Sequence, residues 1–363
     1  MNKRPISLLR RLLCCLLLLG LLAACGLLPP EPSSSAEPSD PASGSVIAPD
    51  PAGTLSVHFF DVAQADSALF IAPDGATMLI DAGDVATKQE LQEKLKALGV
   101  QKIDVLIGTH PHSDHIGGMQ QIVENFEIGR IYLPDASHTS KTFQNLLQSI
   151  ADRKIPTYEA KAGVTFSLGN SVSCQILAPC QSYDDLNNAS AVVHVVYGEI
   201  SFLMTGDAET ASETDMLKND PAALASTVLK MGHHGSSTSS SLAFLDAVNP
   251  TYAVISCGIG NSYGHPHTET LEHLAARGIV TFRTDELGDI CMQTDGVDLS
   301  FDKEGQVPAA EADSLSYVYV TESGKTYHKE DCSALSKSKN KKRISLAEAK
   351  EKGYSACKRC FEN

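Results

Sequence analysis

Positive charge, closely spaced cysteines, apolar runs of membrane length and internal repetition are all scarce in this chain of 363 residues. Lys and Arg number 29 against 44 Asp and Glu, for a formal net charge of −15. Four of the basic residues, Lys3, Arg4, Arg10 and Arg11, stand at the very start, so the chain beyond them carries −19. That balance argues against loose, sequence-blind attraction to nucleic acid. Of 10 cysteines, Cys14, Cys15 and Cys25 crowd the start and Cys332, Cys357 and Cys360 the end, leaving Cys174, Cys180, Cys257 and Cys291 scattered between. Such spacing builds no dense disulfide framework. The four fit one or two bridges, or small buried apolar groups, equally well. The apolar run Leu12–Leu22 is shorter than the about 20 residues a membrane span needs. No repeat stands out at solenoid periods.

What is present falls into segments. The basic start and Leu12–Leu22 have the form of a signal peptide, and Leu22-Ala23-Ala24-Cys25-Gly26 resembles the lipobox of bacterial lipoproteins. Residues 1–25 are therefore expected to be a lipoprotein signal, with Cys25 the lipidated residue that ties the protein to the outer face of a bacterial membrane. Residues 26–53, rich in Pro, Ser, Ala and acidic groups, hold too little apolar matter to offset the entropy of ordering and read as a flexible spacer. From Leu55 to Phe301 short apolar runs alternate with helical patterns. The early strands arrive as hairpins and the later ones alternate with helices, so mixed sheets covered by helices are expected.

One constellation dominates the middle of the chain. The strand pattern Ile103–Gly108 ends in Thr109-His110-Pro111-His112-Ser113-Asp114-His115, three histidines and an aspartate at a strand-to-helix junction. Imidazole and carboxylate are donors that zinc, manganese or iron accept. His110 and His112, two apart in extended chain, project to one side, while Asp114 and His115 turn onto the following loop and can reach a second ion.

These residues spell HxHxDH, and the chain resembles the metallo-β-lactamase superfamily. Leu79-Ile80-Asp81-Ala82-Gly83 looks like the strand-end aspartate that supports the ligand loop in that family, and Thr205-Gly206-Asp207 like its metal-bridging aspartate. Phe60–Ser67, Leu203–Glu209, Leu229–Ser236 and Asn261–His267 resemble, in order and spacing, the metallo-hydrolase domain of the ComEC competence proteins and their stand-alone relatives. The resemblance implies an α/β fold, the αβ/βα four-layer sandwich, over residues 54–303. It further implies two divalent ions, zinc first and manganese as the alternative, held by His110, His112, Asp114, His115, Asp207 and one of the pair His233-His234. His233 is favoured as that ligand because it follows the strand end most directly, leaving His234 to face the substrate. Asp114, His234 and His265 (or His267) are the expected catalytic residues. Asp61 and Asp66 either buttress the site or are turn residues. The histidine that lactamases and glyoxalases carry between these motifs is not evident at Asn187–Ser190. His194, within an apolar strand pattern, is a possible replacement; otherwise one ion has an open position.

Residues 315–363 reverse the charge, with eleven Lys or Arg against six Asp or Glu. His328 and Cys332, then Cys357 and Cys360, have the spacing of a structural Cys3His zinc site, and so small a segment needs such a staple. The alternative is a disulfide among the three cysteines. The module also resembles the small metal-binding domain of the Ada DNA-repair protein. Lys337, Lys339, Lys341, Lys342 and Arg343 would give it either a polyanion-binding face or only a solvated one. The expected function is an exported nuclease or phosphodiesterase acting on a polyanion such as DNA, with no obligate protein partner. A lactonase, β-lactamase or choline-phosphate esterase on the same scaffold, or a non-catalytic surface lipoprotein, are the alternatives.

Overall fold

The computed structural model describes residues 53–308 and, in the tail, 317–321, 324–328, 332–335, 341–345, 349 and 352–361. The signal segment with Cys25, the spacer up to residue 52, Lys337 and Lys339 lie outside the described residues.

Strands β1 (Leu55–Phe59), β2 (Ala68–Ile71) and β3 (Thr77–Ile80) pair as antiparallel hairpins, after which β4 (Lys102–Ile107), β5 (Glu127–Leu133) and β6 (Thr157–Glu159) add in parallel. Parallel neighbours require crossovers. Helices α1 (Lys88–Ala97), α2 (Ser113–Ile116), α3 (Met119–Asn125) and α4 (Lys141–Arg153) provide them. A second sheet holds β7 (Thr165–Leu168), β8 (Val172–Ala178), β9 (Val192–Tyr197) and β10 (Ile200–Met204), all antiparallel. It continues in parallel through β11 (Val228–Lys230), β12 (Tyr252–Ile255) and β13 (Val280–Arg283), with α5 (Thr210–Asn219), α6 (Leu242–Val248) and α7 (Thr268–Ala276) between them. A short α8 (Thr284–Leu287) returns the chain to the first sheet, where β14 (Ile290–Thr294) pairs with β1 and β15 (Leu299–Phe301) forms the edge. The sheets thus have eight and seven strands.

The alternation in β1 shows how sequence sets the layers. Leu55, Val57 and Phe59 are fully buried while Ser56 and His58 between them are not. Val57, Phe59, Phe70 and Val105 meet Val193, Val195, Phe202 and Val254 of the other sheet in one central core. On the outer face of the first sheet Leu69, Leu79 and Leu106 pack against Leu91 and Leu95 of α1, Ile122 of α3 and Leu146 of α4. The outer face of the second, with Leu203 and Leu229, packs against Met216 of α5, Phe244 of α6 and Leu274 of α7. Each fully buried Leu or Phe contributes about 2 kcal/mol. The result is the four-layer αβ/βα sandwich expected. Among the described residues no helix is long and apolar enough to cross a membrane.

In the tail, β16 (Tyr317–Thr321) pairs antiparallel with β18 (Lys341–Ser345), and β17 (Thr326–Tyr327) pairs parallel with β19 (Ser355–Ala356), followed by α9 (Lys358–Phe361). Val318, Val320, Ile344 and Ala349 make its small core. Arg343 of β18 bonds Glu269 in the first turn of α7 at 2.8 Å.

Candidate metal centre

Strand ends at one edge of the sandwich aim the polar side chains. β4 ends just before Thr109-His110, β10 before Thr205-Gly206-Asp207, and β11 before the tight turn Gly232–Gly235. Gly206 has φ +51, and a Cβ there would lie 2.8 Å from Thr109 Cβ, so the Asp207 loop comes this close to the histidine loop because residue 206 is glycine. Asp81, buried at the end of β3, accepts from Thr109 N at 2.8 Å and Thr109 Oγ1 at 2.7 Å, and lies 2.8 Å from His115 Nδ1. It braces the ligand loop, as expected from its place in the sequence.

His110 Nε2 and His112 Nδ1 converge to 2.9 Å, and His110 Nε2 is 3.8 Å from Asp207 Oδ2. The other carboxylate oxygen of Asp207 faces a different group. Oδ1 is 3.2 Å from His115 Nε2 and 3.9 Å from His234 Nε2, which is itself 3.2 Å from Asp114 Oδ2. Asp114, His115, Asp207 and His234 place their ligand atoms within 4.8 Å of one another. Asp207 therefore stands between two donor sets with one oxygen toward each. His115 Nε2 and Asp207 Oδ1 are both buried without a hydrogen-bond partner. Buried polar atoms are rarely left so, and a cation between these two would satisfy them. The donor set fits two divalent ions.

The structure corrects the expected order of the histidine pair. His234, 2 % exposed, stands in the second cluster where His233 was expected, its Nε2 3.2 Å from Asp114 Oδ2. The turn explains the exchange: both residues have left-handed φ, 49° and 55°, and this carries the first imidazole outward and the second in. His233 lies a quarter exposed, with Nε2 3.8 Å from Asp207 Oδ2 and Nδ1 3.1 Å from Glu209 Oε1. His265 is buried against the cleft, its ring 5.5 Å from that of His233 and its Nδ1 3.3 Å from Gln64 Nε2. His267 instead accepts from Ser237 N at 3.0 Å and holds that loop. A cavity of about 290 Å³ opens here, walled by His112, Asp114, Asp207, His233, His234 and His265.

His194 does not join the site. It points from β9 away from the central core, toward the backbone of Ala225, and burial lowers its pKa. Where the missing histidine was sought stands Ser190, fully buried, its Oγ 3.2 Å from His110 Nδ1 and accepting from Asp207 N at 3.1 Å. Asp61 accepts from Ala63 N and is a turn residue, whereas buried Asp66 lies 3.3 Å from His234 Nδ1. Sequence reasoning passed over Ser190, Glu209, Lys230 and His138, whose ring lies 6.1 Å from that of His112. Only Lys230, a charge ending a buried apolar strand, carried a visible signal.

Electrostatics divides the two donor sets. Burial and the neighbouring His115 hold His110 well below its ordinary pKa, and burial lowers His112, so both offer lone pairs at neutral pH. Burial also opposes charge on His115 and His234, but the carboxylates of Asp207 with Asp81, and of Asp207 with Asp66, prevail; His234 is lifted to about 10. Asp114 is brought down to about 2 against its burial, chiefly by its hydrogen bond to His234 and the charge of His115. In the metal-free protein His234 thus contributes stability that is complete below the ordinary value of 6.5 and lost as pH rises through about 10. The metal-free melting temperature should fall across that window, and the fall should shrink once metal holds both imidazoles neutral. Scanning calorimetry of chelated and reloaded protein checks this; a flat metal-free profile would contradict it.

In the tail, His328 Nδ1 is 3.4 Å from Cys332 Sγ, which is 3.9 Å from Cys357 Sγ. All three are buried. Cys360 lies on α9, and its side chain is outside what is described.

Residues 63–259 match the profile of the Metallo-beta-lactamase superfamily. The chain is 31% identical over 252 residues to ComE operon protein 3 of Bacillus subtilis, covering 64% of this chain and 32% of that protein. Over 240 residues it is 34% identical to Competence protein ComA of Neisseria gonorrhoeae, with coverage of 66% and 32%. Recombination protein 2 of Haemophilus influenzae is 29% identical over 227 residues, with coverage of 61% and 26%. The chain spans about a third of the length of these relatives or less. With the profile covering more than half of its residues and both donor sets in place, the chain belongs to the metallo-β-lactamase superfamily, a metal-dependent hydrolase.

Proposed function

We propose that this protein is an exported phosphodiesterase or nuclease that cuts a polyanionic substrate such as DNA at a dinuclear centre. The reading is carried by Asp207, whose two carboxylate oxygens face the His110–His112 pair and the Asp114–His115–His234 group. His110, His112 and Asp207 would hold one ion, and Asp114, His115, His234 and Asp207 the other. The chemistry such a pair of ions, zinc or manganese, supplies is a nucleophile from water at neutral pH and neutralisation of phosphoryl charge. The chain's own residues do the rest. His233, fixed by Glu209, and His265, fixed by Gln64, present imidazole edges to the cleft where the phosphoryl and leaving oxygens would lie. The names of two relatives, Competence protein ComA and Recombination protein 2, favour DNA over a lactone or a β-lactam.

The tail fits this reading. His328, Cys332 and Cys357, with Cys360 as the fourth ligand, would bind a structural zinc, and exposed Lys341 and Lys342 would draw a polyanion that the acidic hydrolase portion repels. The bond from Arg343 to Glu269 sets this strand beside the helix that follows His265 and His267. Cys332→Ser with Cys357→Ser should remove one zinc equivalent and leave the two catalytic ions; loss of all metal by elemental analysis would show a single unit instead. Anchoring through Cys25 completes the proposal: Cys25→Ala should leave the protein unprocessed or released, and unchanged membrane fractionation of that variant would exclude the anchor.

A substrate panel decides the function. Single- and double-stranded DNA, bis(p-nitrophenyl) phosphate, a choline phosphoester, a lactone and a β-lactam would be offered to metal-loaded protein, with chelated protein as control. Chelator-sensitive cleavage of DNA or the simple phosphodiester supports the reading, and turnover of only the lactone or β-lactam overturns it.

A further inference from the structure

Lys230 ends β11, a strand whose other two residues are fully buried, and is itself only 3 % exposed. An ammonium group in that position costs several kcal/mol unless it is paired. Its Nζ donates to Asp66 Oδ2 at 2.7 Å and to the Met231 carbonyl at 3.0 Å. Asp66 is also buried, and its second oxygen, Oδ1, has no hydrogen-bond partner but lies within ion-pair reach of His234 Nδ1, at 3.3 Å. The Asp66 backbone donates to the Asp114 carbonyl at 3.0 Å and accepts from Gly83 N at 2.9 Å, so the residue is fastened to the ligand loop as well. Beside the pair lies a small cavity of about 10 Å³ lined by Asp66, Asp81, Thr109, Lys230 and Ser256 among others, room for about one water.

We infer that the Asp66–Lys230 pair positions His234: Lys230 holds the carboxylate of Asp66 in place, and that carboxylate, with the Ser256 carbonyl at 3.0 Å, fixes the imidazole so that Nε2 faces the second metal site. His234 needs such support because its own backbone is strained, with φ 55° in a non-glycine residue. His115, the other imidazole of that cluster, is backed in the same way by Asp81, but Asp81 is held by the hydroxyl and amide of Thr109 and not by a cation. The difference has an electrostatic consequence. Asp66, Asp81, Asp114 and Asp207 would leave four negative charges around the centre, and Lys230 cancels one of them on the side of the cluster away from the cleft. An ion pair that merely stapled β11 to the loop after β1 would need neither the free oxygen aimed at His234 nor the bond to Asp114.

The inference rests on His234 being a ligand of the second ion, so both are tested together in the full mature chain. Zn²⁺ and Mn²⁺ binding would be followed by competition with a chromophoric chelator, alongside the melting temperature of metal-free protein, for Asp66→Leu, Lys230→Met, the double variant and His234→Ala. Removing a group that orients a ligand weakens metal binding by about 10–100-fold. Asp66→Leu and Lys230→Met should each weaken the second catalytic equivalent by that factor and leave the first and the zinc of the tail alone, and each should lower the melting temperature by stranding a buried charge. The double variant, which strands none, should regain the melting temperature but not the second-equivalent affinity. A purely structural pair would move the two readouts together, so full recovery of both in the double variant overturns the inference. If either single variant fails to fold, the double variant still separates them. Retention of both catalytic equivalents in His234→Ala, beyond the one held by the tail, would instead overturn the ligand assignment itself.

Discussion

Asp207→Ala is expected to lower phosphodiester turnover by more than about 10³-fold, beyond the cost of removing one charge-stabilising donor, and to leave a protein that no longer holds two ions. Asp207 is the one side chain shared by both donor sets, with Oδ2 3.8 Å from His110 Nε2 and Oδ1 3.2 Å from His115 Nε2. Its loss therefore uncouples the two donor sets rather than weakening one of them, and takes away the residue that would hold both ions of a centre able to supply a water nucleophile. His194→Ala supplies the contrast. Its imidazole lies on the outer face of β9, so the substitution should cost about 1 kcal/mol of stability while metal content and turnover stay near those of the parent protein. Elemental analysis and turnover of bis(p-nitrophenyl) phosphate for the two variants decide the matter. A His194→Ala protein that folds but lacks one metal would reinstate His194 as a ligand.

His234→Ala and His233→Ala should separate cleanly although the residues are adjacent. His234, buried between Asp66, Asp114 and Ser256, closes the second donor set, so its removal should drop the catalytic metal from two equivalents to one, apart from the zinc of the tail, and abolish turnover. His233 is bonded to Glu209 at the cleft wall, and its removal should retain both equivalents while lowering kcat by about 10²–10³-fold, as for loss of one preorganised donor. Loss of metal from His233→Ala with retention in His234→Ala would restore the order expected from the sequence.

Much of this was legible in the chain itself. The alternation in Leu55–Phe59 and the apolar runs of β4, β10 and β11 announced strands, and the helical spacing of Leu242–Val248 a helix, because burial on one face leaves a period in the sequence. His110, His112, Asp114, His115 and Asp207 were legible because metal donors concentrated at strand ends have little other reason to be there. Strands such as β5, with Gly129 and Arg130 in its middle, and β8 were not expected, since neither shows a clean period. The exchange of His233 and His234 depended on two left-handed backbone angles in a four-residue turn, which adjacency in sequence does not encode. Asp66 and Lys230 stand 164 positions apart, so only the closing of one sheet on the other brings carboxylate and ammonium to 2.7 Å. The sequence by itself determined which residue types gather at the strand ends, because donor chemistry is local. The tertiary structure decided which of them gather around Asp207, which line the cleft and which stand behind, because that depends on backbone direction and on what lies buried against each ring.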